Sequence, residues 1–179
     1  KGFKMTLWAM PVVRAYNPNA KRMAQLIKNY LAAVDIDVTI VSYDWQAFRD
    51  KLSQGEHDSV LIGWSADNGD PDNFYRPLLS CDAIPSGTNR AMWCNEEFNA
   101  LINAAIRIPD VDLRATLYAK ANHIIAREMP LVPIAHANRY QVKANTINGL
   151  SINPYGSIRF ENVYKEINPV APENQGGQP

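Results

Sequence analysis

The chain has 179 residues, and its 18 lysines and arginines are balanced by 18 aspartates and glutamates, so the formal net charge is zero. A balanced charge argues against nucleic-acid binding, which needs a positive surplus that releases counterions. It also argues against a polybasic contact with a membrane surface. No stretch approaches the ~20 consecutive apolar residues of a membrane-spanning helix. A chain of this length buries enough surface to form a core without a metal ion or a disulfide bond.

Predicted strands and helices alternate in the first third of the chain. The predicted strands are 3–8, 37–43 and 59–64, and the predicted helices between them are 18–34 and 45–54. Asn17 is the predicted N-cap of the first helix, with Pro18 as its first residue, and Asp44 is the predicted N-cap of the second. This order is typical of parallel βαβ units. We therefore expect an α/β fold with a mixed sheet flanked by helices.

The pattern after the third strand is less regular. A loop rich in acidic and turn-forming residues at 65–73 precedes predicted helices at 74–79, 96–106 and 113–129, and predicted strands at 131–137, 139–142 and 158–164. The tail is rich in Pro, Gly and Gln and is expected to be disordered. The chain opens with Lys rather than Met, which predicts that a leader has been removed or that a longer chain precedes it.

Motifs of common catalytic sites are absent from the sequence. It contains no G-x-S-x-G, no G-x-x-x-x-G-K-[ST] and no G-x-G-x-x-G. His57, His123 and His136 are far apart along the chain, whereas a zinc site normally needs four ligands. We therefore expect neither an enzyme nor a bound metal ion, and no cofactor is indicated.

Cys81 and Cys94 are the two cysteines of the chain and lie in a region with the composition of a loop. A disulfide that closes a loop of this size stabilises a fold by ~3 kcal/mol in the chain-entropy model. The spacing alone does not distinguish such a bond from two unpaired structural thiols. A disulfide would indicate an oxidising compartment.

Charged residues follow two of the predicted strands. Arg14 lies in the loop after the first strand, and Asp67, Asp70 and Asp72 lie in the acidic loop after the third. Ligands of open α/β sheets bind outside the carboxyl ends of the strands. Arg14 and Asp67 are therefore expected at one sheet edge, where they grip a zwitterion or pair with each other, and Trp64 is expected to line the same pocket. A calcium loop is an alternative, but the spacing differs from an EF-hand and the bidentate Glu is missing.

Three stretches carry a resemblance to a known family: LWAMPVVRAYNPNAKRMAQLI, GWSADNGDPDNFYRPLLSC and TNRAMWCNEEFNALI. They resemble the C-terminal part of family 5 extracellular solute-binding proteins, the periplasmic peptide-binding components of ABC importers. FYRPLLSC is more similar to the Sap-type branch, which is linked to antimicrobial-peptide resistance, and DNGDPDNF is shared with the dipeptide-binding branch. The balance of these motifs favours the Sap-type branch.

The resemblance implies a protein of two lobes around a cleft, more than twice as long as this chain, of which this chain is a fragment. It implies that 1–147 form most of the C-terminal ligand-binding lobe, that 148–166 return to an N-terminal lobe, and that 167–179 form a disordered tail. The implied partners are peptides, the N-terminal lobe of the same protein and the permease subunits of an ABC transporter. The implied compartment is the periplasm, and haem is an alternative ligand on the same scaffold.

The resemblance also implies roles for individual residues. In the dipeptide-binding branch, the acidic residue of GW-x-x-D holds the ammonium group of the peptide, and this position is Asp67. An Arg before the Y-N-P motif holds the carboxylate, and this position is Arg14. The paired loop cysteines of that branch imply a disulfide between Cys81 and Cys94. Arg76 departs from the family pattern and is expected to add a cation that changes the pocket.

Overall fold

The computed structural model describes residues 2–138, 140–155 and 157–166. The chain divides into two compact units, with the division between Ala137 and Asn138. This division lies earlier in the chain than the predicted domain boundary before residue 148, and the assignment of 148–166 to another lobe stays a prediction. The predicted disordered tail lies outside the described residues. Within the described ranges, none of the helices has the length and apolar character needed to cross a membrane.

The first unit contains three strands and five helices. The strands are β1 (Lys4–Ala9), β2 (Asp37–Val41) and β3 (Ser59–Leu61), and the helices are α1 (Ala20–Ala32), α2 (Trp45–Ser53), α3 (Asp72–Leu79), α4 (Glu96–Ala105) and α5 (Val111–Glu128). A 3-10 turn at Cys81–Ala83 follows α3. The described residues of the second unit form four two-residue strands, β4 (Ile147–Asn148), β5 (Ser151–Ile152), β6 (Ile158–Arg159) and β7 (Tyr164–Lys165).

The main sheet has the order β2-β1-β3, and both pairings are parallel. The central strand is the most buried because it has a neighbour on each side, and Leu7, Trp8 and Ala9 are almost inaccessible to solvent. Antiparallel pairing joins β4 to β7 and β5 to β6 in the second unit. The α/β fold class is confirmed, with parallel pairing in the described strands of the main sheet.

The start of α1 differs from the prediction. Asn19 is the N-cap, and its side chain accepts a hydrogen bond from the Arg22 amide at 3.0 Å. Asn17 is buried instead, and its side-chain oxygen accepts from the Asn19 amide at 3.2 Å. Asparagine is a favourable N-cap residue at either position, but the backbone of Asn17 is hydrogen-bonded to that of Arg14. This pairing holds Asn17 in the preceding turn, so Pro18 does not begin the helix.

Two apolar clusters form the core of the first unit. One lies between the sheet and helices α1 and α2, where Val38, Phe48 and Leu52 are fully buried. The other lies among α3, α4 and α5, where Phe98 and Ile102 are fully buried. The acidic loop runs from the end of β3 in the first cluster to the start of α3 in the second. The acidic loop therefore connects the two apolar clusters.

The predicted strands at 131–137 and 139–142 are wrong for the residues that the structure describes there, because none of them lies in a strand. Val132 and Val142 are 69% and 89% exposed. An alternating apolar pattern becomes a strand only where a neighbouring strand completes its hydrogen bonds. The predicted strand at 158–164 is replaced by the short strands β6 and β7.

A cluster of polar side chains joins the end of α5 to the loop before α4. The Glu128 carboxylate accepts hydrogen bonds from Trp93 Nε1 at 2.8 Å, from Asn95 Nδ2 at 2.8 Å and from the Arg127 guanidinium at 3.0 Å. These hydrogen bonds hold the pKa of Glu128 below its ordinary value of 4.5, and the bond from Arg127 has the largest effect. Hydrogen bonds to the charged form of a carboxyl group favour that form.

The lowered pKa of Glu128 predicts a pH-dependent contribution to stability. A carboxyl group whose pKa is lower in the folded state stabilises the fold above its unfolded pKa, and this contribution is lost as the pH falls through the folded value. We expect Glu128→Gln to melt below the wild-type protein near neutral pH, and the difference to shrink as the pH falls below 4.5. Thermal melting of both proteins across this range tests it, and a constant difference at every pH would contradict it.

Candidate ligand-binding site

The loops after β1 and β3 leave the sheet at the same edge. The two strands are parallel neighbours, and Ala9 of β1 is in register with Leu61 of β3. Arg14 lies in the first of these loops, and Trp64 and Asp67 lie in the second. The strands therefore direct both charge-bearing loops toward the carboxyl ends of the sheet, where α/β folds bind their ligands.

Arg14 is held by its own loop and by the first residue of α2. Two backbone hydrogen bonds, of 3.2 Å and 3.1 Å, join Arg14 and Asn17 and close a tight turn. The guanidinium Cζ of Arg14 lies 4.9 Å from the centre of the Trp45 ring. A cation above an aromatic face is attracted by the electrons of the ring. Arg14 is consequently half-buried, with a defined direction at the edge of the sheet.

The three carboxylates of the acidic loop have different environments. Asp70 pairs with Arg114 and accepts a hydrogen bond from the Tyr118 hydroxyl at 2.9 Å. Asp72 accepts two hydrogen bonds of 3.0 Å from the Arg76 guanidinium. Asp67 is exposed, and no described lysine, arginine or histidine lies within 4.0 Å of its carboxylate.

These pairings decide between the interpretations of the acidic loop. Arginine neutralises two of the three carboxylates, Asp70 and Asp72, which is the opposite of what a calcium loop requires. Arg76 also donates to Asn103 Oδ1 at 2.9 Å. Its guanidinium is therefore occupied by these contacts, and the expectation that Arg76 changes the pocket stays a prediction.

Asn73 organises the part of the loop that carries Asp67. Its side-chain oxygen accepts hydrogen bonds from Trp64 Nε1 at 3.3 Å and from the Asp67 amide at 3.1 Å. Trp64 keeps 36% of its surface exposed, so its indole remains available to a ligand. The roles of Asn73 and Trp45 were not predicted from the sequence, although asparagine in a turn often bonds nearby backbone amides.

Arg14 and Asp67 do not pair with each other. Within the described part of the chain, neither residue takes part in an ion pair within 4.0 Å. Of the two interpretations of these charges, mutual pairing is therefore not observed. Arg14 and Asp67 therefore each carry a charge that no described residue neutralises within 4.0 Å.

Cys81 and Cys94 form a disulfide bond, and their Cα atoms are 4.7 Å apart. The pairing implied by the family resemblance is confirmed. The two sulfurs and the Glu96 carboxylate lie within 4.8 Å of one another, but bonded sulfurs are not the thiolates that a metal ion requires. Asn89 supports the same loop, and its Nδ2 donates to the carbonyl oxygens of Ser80 at 3.0 Å and of Trp93 at 2.8 Å.

Comparison with known proteins gives matches to one family. Residues 2–86 match the profile of bacterial extracellular solute-binding proteins, family 5 Middle. The chain is 44% identical over 91% of its length to the dipeptide-binding protein of Pseudomonas aeruginosa, of which it covers 30%. It is 37% identical over 90% of its length to the probable ABC transporter periplasmic-binding protein SapA of Escherichia coli, of which it covers 30%. Over most of its length the chain is therefore similar to family 5 extracellular solute-binding proteins.

A solved structure gives the same result for the fold. The dipeptide-binding protein from Pseudoalteromonas sp. SM9913, in complex with Met-Leu, matches with a TM-score of 0.84 and 46% identity. The match covers 93% of this chain and 33% of that protein. The chain thus spans about a third of the length of its relatives, whose names describe binding proteins rather than enzymes. The higher identities favour the dipeptide-binding branch over the Sap-type branch that the sequence motifs favoured.

Proposed function

We propose that this chain forms one wall of the peptide-binding site of an ABC-importer receptor in the periplasm. Asp67 holds the ammonium group of the peptide and Arg14 holds its carboxylate. The observation that carries this proposal is the distribution of charge in the acidic loop, where Asp67 alone of the three aspartates lacks a described cationic partner. The names of the relatives agree with it, since two of them are dipeptide-binding proteins.

Recognition by charged termini explains how one site accepts peptides of varied sequence. Each peptide has one ammonium and one carboxylate group, whatever its side chains are. Two fixed charges of opposite sign therefore select for the zwitterion, while water-filled pockets accommodate the side chains. Trp64 supplies an apolar wall beside Asp67.

The transport step follows without chemical catalysis. The rest of the receptor supplies the opposite wall of the cleft, and the two lobes close on the peptide by a hinge. Closure removes water from the charged contacts, which strengthens them. The closed receptor then delivers its peptide to the permease subunits of the transporter.

Haem binding on the same scaffold is the alternative, and the described histidines give it little support. His57 Nε2 lies 2.8 Å from the Arg90 carbonyl oxygen, and His123 Nδ1 lies 2.7 Å from the Ala119 carbonyl oxygen. The other ring nitrogen of His57, Nδ1, is buried and does not reach solvent, whereas His123 is exposed on α5. His136 is exposed.

Calorimetry on the full-length receptor tests the proposal with the dipeptide Ala-Ala, its N-acetylated form and its C-amidated form. Removing one partner of a buried charge pair costs ~2–5 kcal/mol. Each blocked form is therefore expected to bind at least about 30-fold more weakly than the free dipeptide. Equal binding of free and blocked forms would contradict the proposal. A shift of the haem absorption band at one equivalent, without any dipeptide binding, would favour the alternative.

A further inference from the structure

The two charge-bearing loops are in direct contact through Tyr16 and Gly63. A Cβ atom at Gly63 would lie 2.5 Å from Cδ2 and 2.8 Å from Cε2 of the Tyr16 ring, closer than real Cβ contacts come. The backbone of Gly63 is outside the left-handed region, where Gly55, Gly87 and Gly149 lie. The absence of a side chain at Gly63 is therefore required for space, because the Tyr16 ring packs against its backbone.

Tyr16 is fixed relative to Arg14. It lies inside the turn that the two backbone hydrogen bonds between Arg14 and Asn17 close. Its hydroxyl donates to Met10 Sδ at 3.6 Å, and Met10 is buried at the end of the central strand. A displacement of the Tyr16 ring would consequently move the turn that presents Arg14.

Gly63 is similarly fixed relative to Asp67. It directly precedes Trp64, whose indole nitrogen shares the Asn73 oxygen with the Asp67 amide. The contact between Tyr16 and Gly63 thus joins the segment that presents the cation to the segment that presents the carboxylate.

We propose that the contact between Tyr16 and Gly63 sets the distance between Arg14 and Asp67 and thereby selects the length of the bound peptide. This inference rests on the proposed function. An extended peptide grows by ~3.3–3.6 Å with each residue, whereas charge-assisted hydrogen bonds need heavy-atom distances of ~2.7–2.9 Å. If the spacing between Arg14 and Asp67 is rigid, a short peptide of one length can contact both residues with its two termini. A peptide that is one residue longer cannot make both contacts.

Gly63→Ala is the direct test, because its methyl group forces the Tyr16 ring to move by roughly 1 Å to restore ordinary contact. We expect this variant of the full-length receptor to lose about tenfold in affinity for Ala-Ala, which corresponds to ~1.4 kcal/mol. Affinity for Ala-Ala-Ala should fall less or rise. The ratio of the two affinities, measured by calorimetry, is the readout, since a general loss of stability would lower both together.

Tyr16→Ala provides the matched second variant. Without the ring there is no clash, so Gly63→Ala is expected to have no effect in the Tyr16→Ala background, and Tyr16→Ala alone should weaken the length preference. An unchanged affinity ratio in both single variants, with wild-type preference intact, would overturn the inference and leave the proposed function standing. If the wild-type receptor bound blocked and free peptides equally, the proposed function itself would fail.

Discussion

Asp67→Asn is expected to weaken the binding of a peptide with a free N-terminus to the full-length receptor by ~2–5 kcal/mol. This range corresponds to a loss of about 30-fold to several thousand-fold in affinity. Asparagine has nearly the same shape, so the loop can keep the hydrogen bond from the Asp67 amide to Asn73. The charge is what is lost, and the peptide ammonium group would then be buried without a counter-charge.

The N-acetylated peptide is the control ligand for this variant. It carries no ammonium group, so Asp67→Asn should change its affinity little. Asp72→Asn is the matched control variant. It also removes a carboxylate from the acidic segment, but this carboxylate is paired with Arg76 and is not proposed to contact the peptide. It is expected to lower thermal stability while affecting free and acetylated peptides alike. An equal loss for both peptides in the Asp67 variant would mean that Asp67 supports the loop rather than the ligand.

Local sequence patterns predicted the main sheet and its edge because the required signals lie within a few residues. The cap at Asp44 forms as expected, and its side chain accepts a hydrogen bond from the Ala47 amide. The order of strands and helices indicated parallel βαβ units, but the sheet was expected to be mixed, whereas both of its described pairings are parallel. Parallel pairing in turn placed Arg14 and the acidic loop at the same edge of the sheet.

The contacts that decide which charges are free could not be predicted in this way. Asp70 meets Tyr118 from a position 48 residues away along the chain. The stacking of Arg14 on Trp45 likewise depends on how α2 packs beside the sheet. Such contacts leave no local periodicity, so Asp67 and Asp70 look alike in the sequence and differ only in the fold. Asp72 is different, because its partner Arg76 lies four residues later on the same helix.

The errors at Asn17 and at 131–142 have a related cause. Asn17 and Asn19 are both suitable caps, and the choice is made by the backbone pairing of Asn17 with Arg14. The apolar pattern of 131–142 is that of a strand, but the described residues offer it no hydrogen-bonding neighbour. At Asn17 a tertiary contact overrides the local preference for a cap. At 131–142 the local preference for a strand is not realised, because the pairing that a strand requires is missing among the described residues.

The disulfide between Cys81 and Cys94 predicts the second large effect. The bonded cysteines are separated by 13 positions, and a loop of this size gives a stabilisation of ~3 kcal/mol by restricting the unfolded chain. Replacing both cysteines by serine is therefore expected to lower the free energy of unfolding of this region by about that amount. Urea unfolding followed by tryptophan fluorescence measures it, because Trp93 lies beside Cys94.

The folded loop should nevertheless keep its structure in the double serine variant. Asn89 is fully buried, and its bonds to the Ser80 and Trp93 carbonyls hold the two ends of the loop together without the sulfurs. Peptide affinity is therefore expected to change little, because removing the disulfide increases the conformational entropy of the unfolded chain and leaves the folded loop unchanged. Reductant should bring the wild-type protein to the same urea midpoint as the variant and leave the variant unchanged. Two free thiols in the denatured, unreduced wild-type protein would contradict the bond, and a large loss of peptide affinity would show that the disulfide also shapes the binding site.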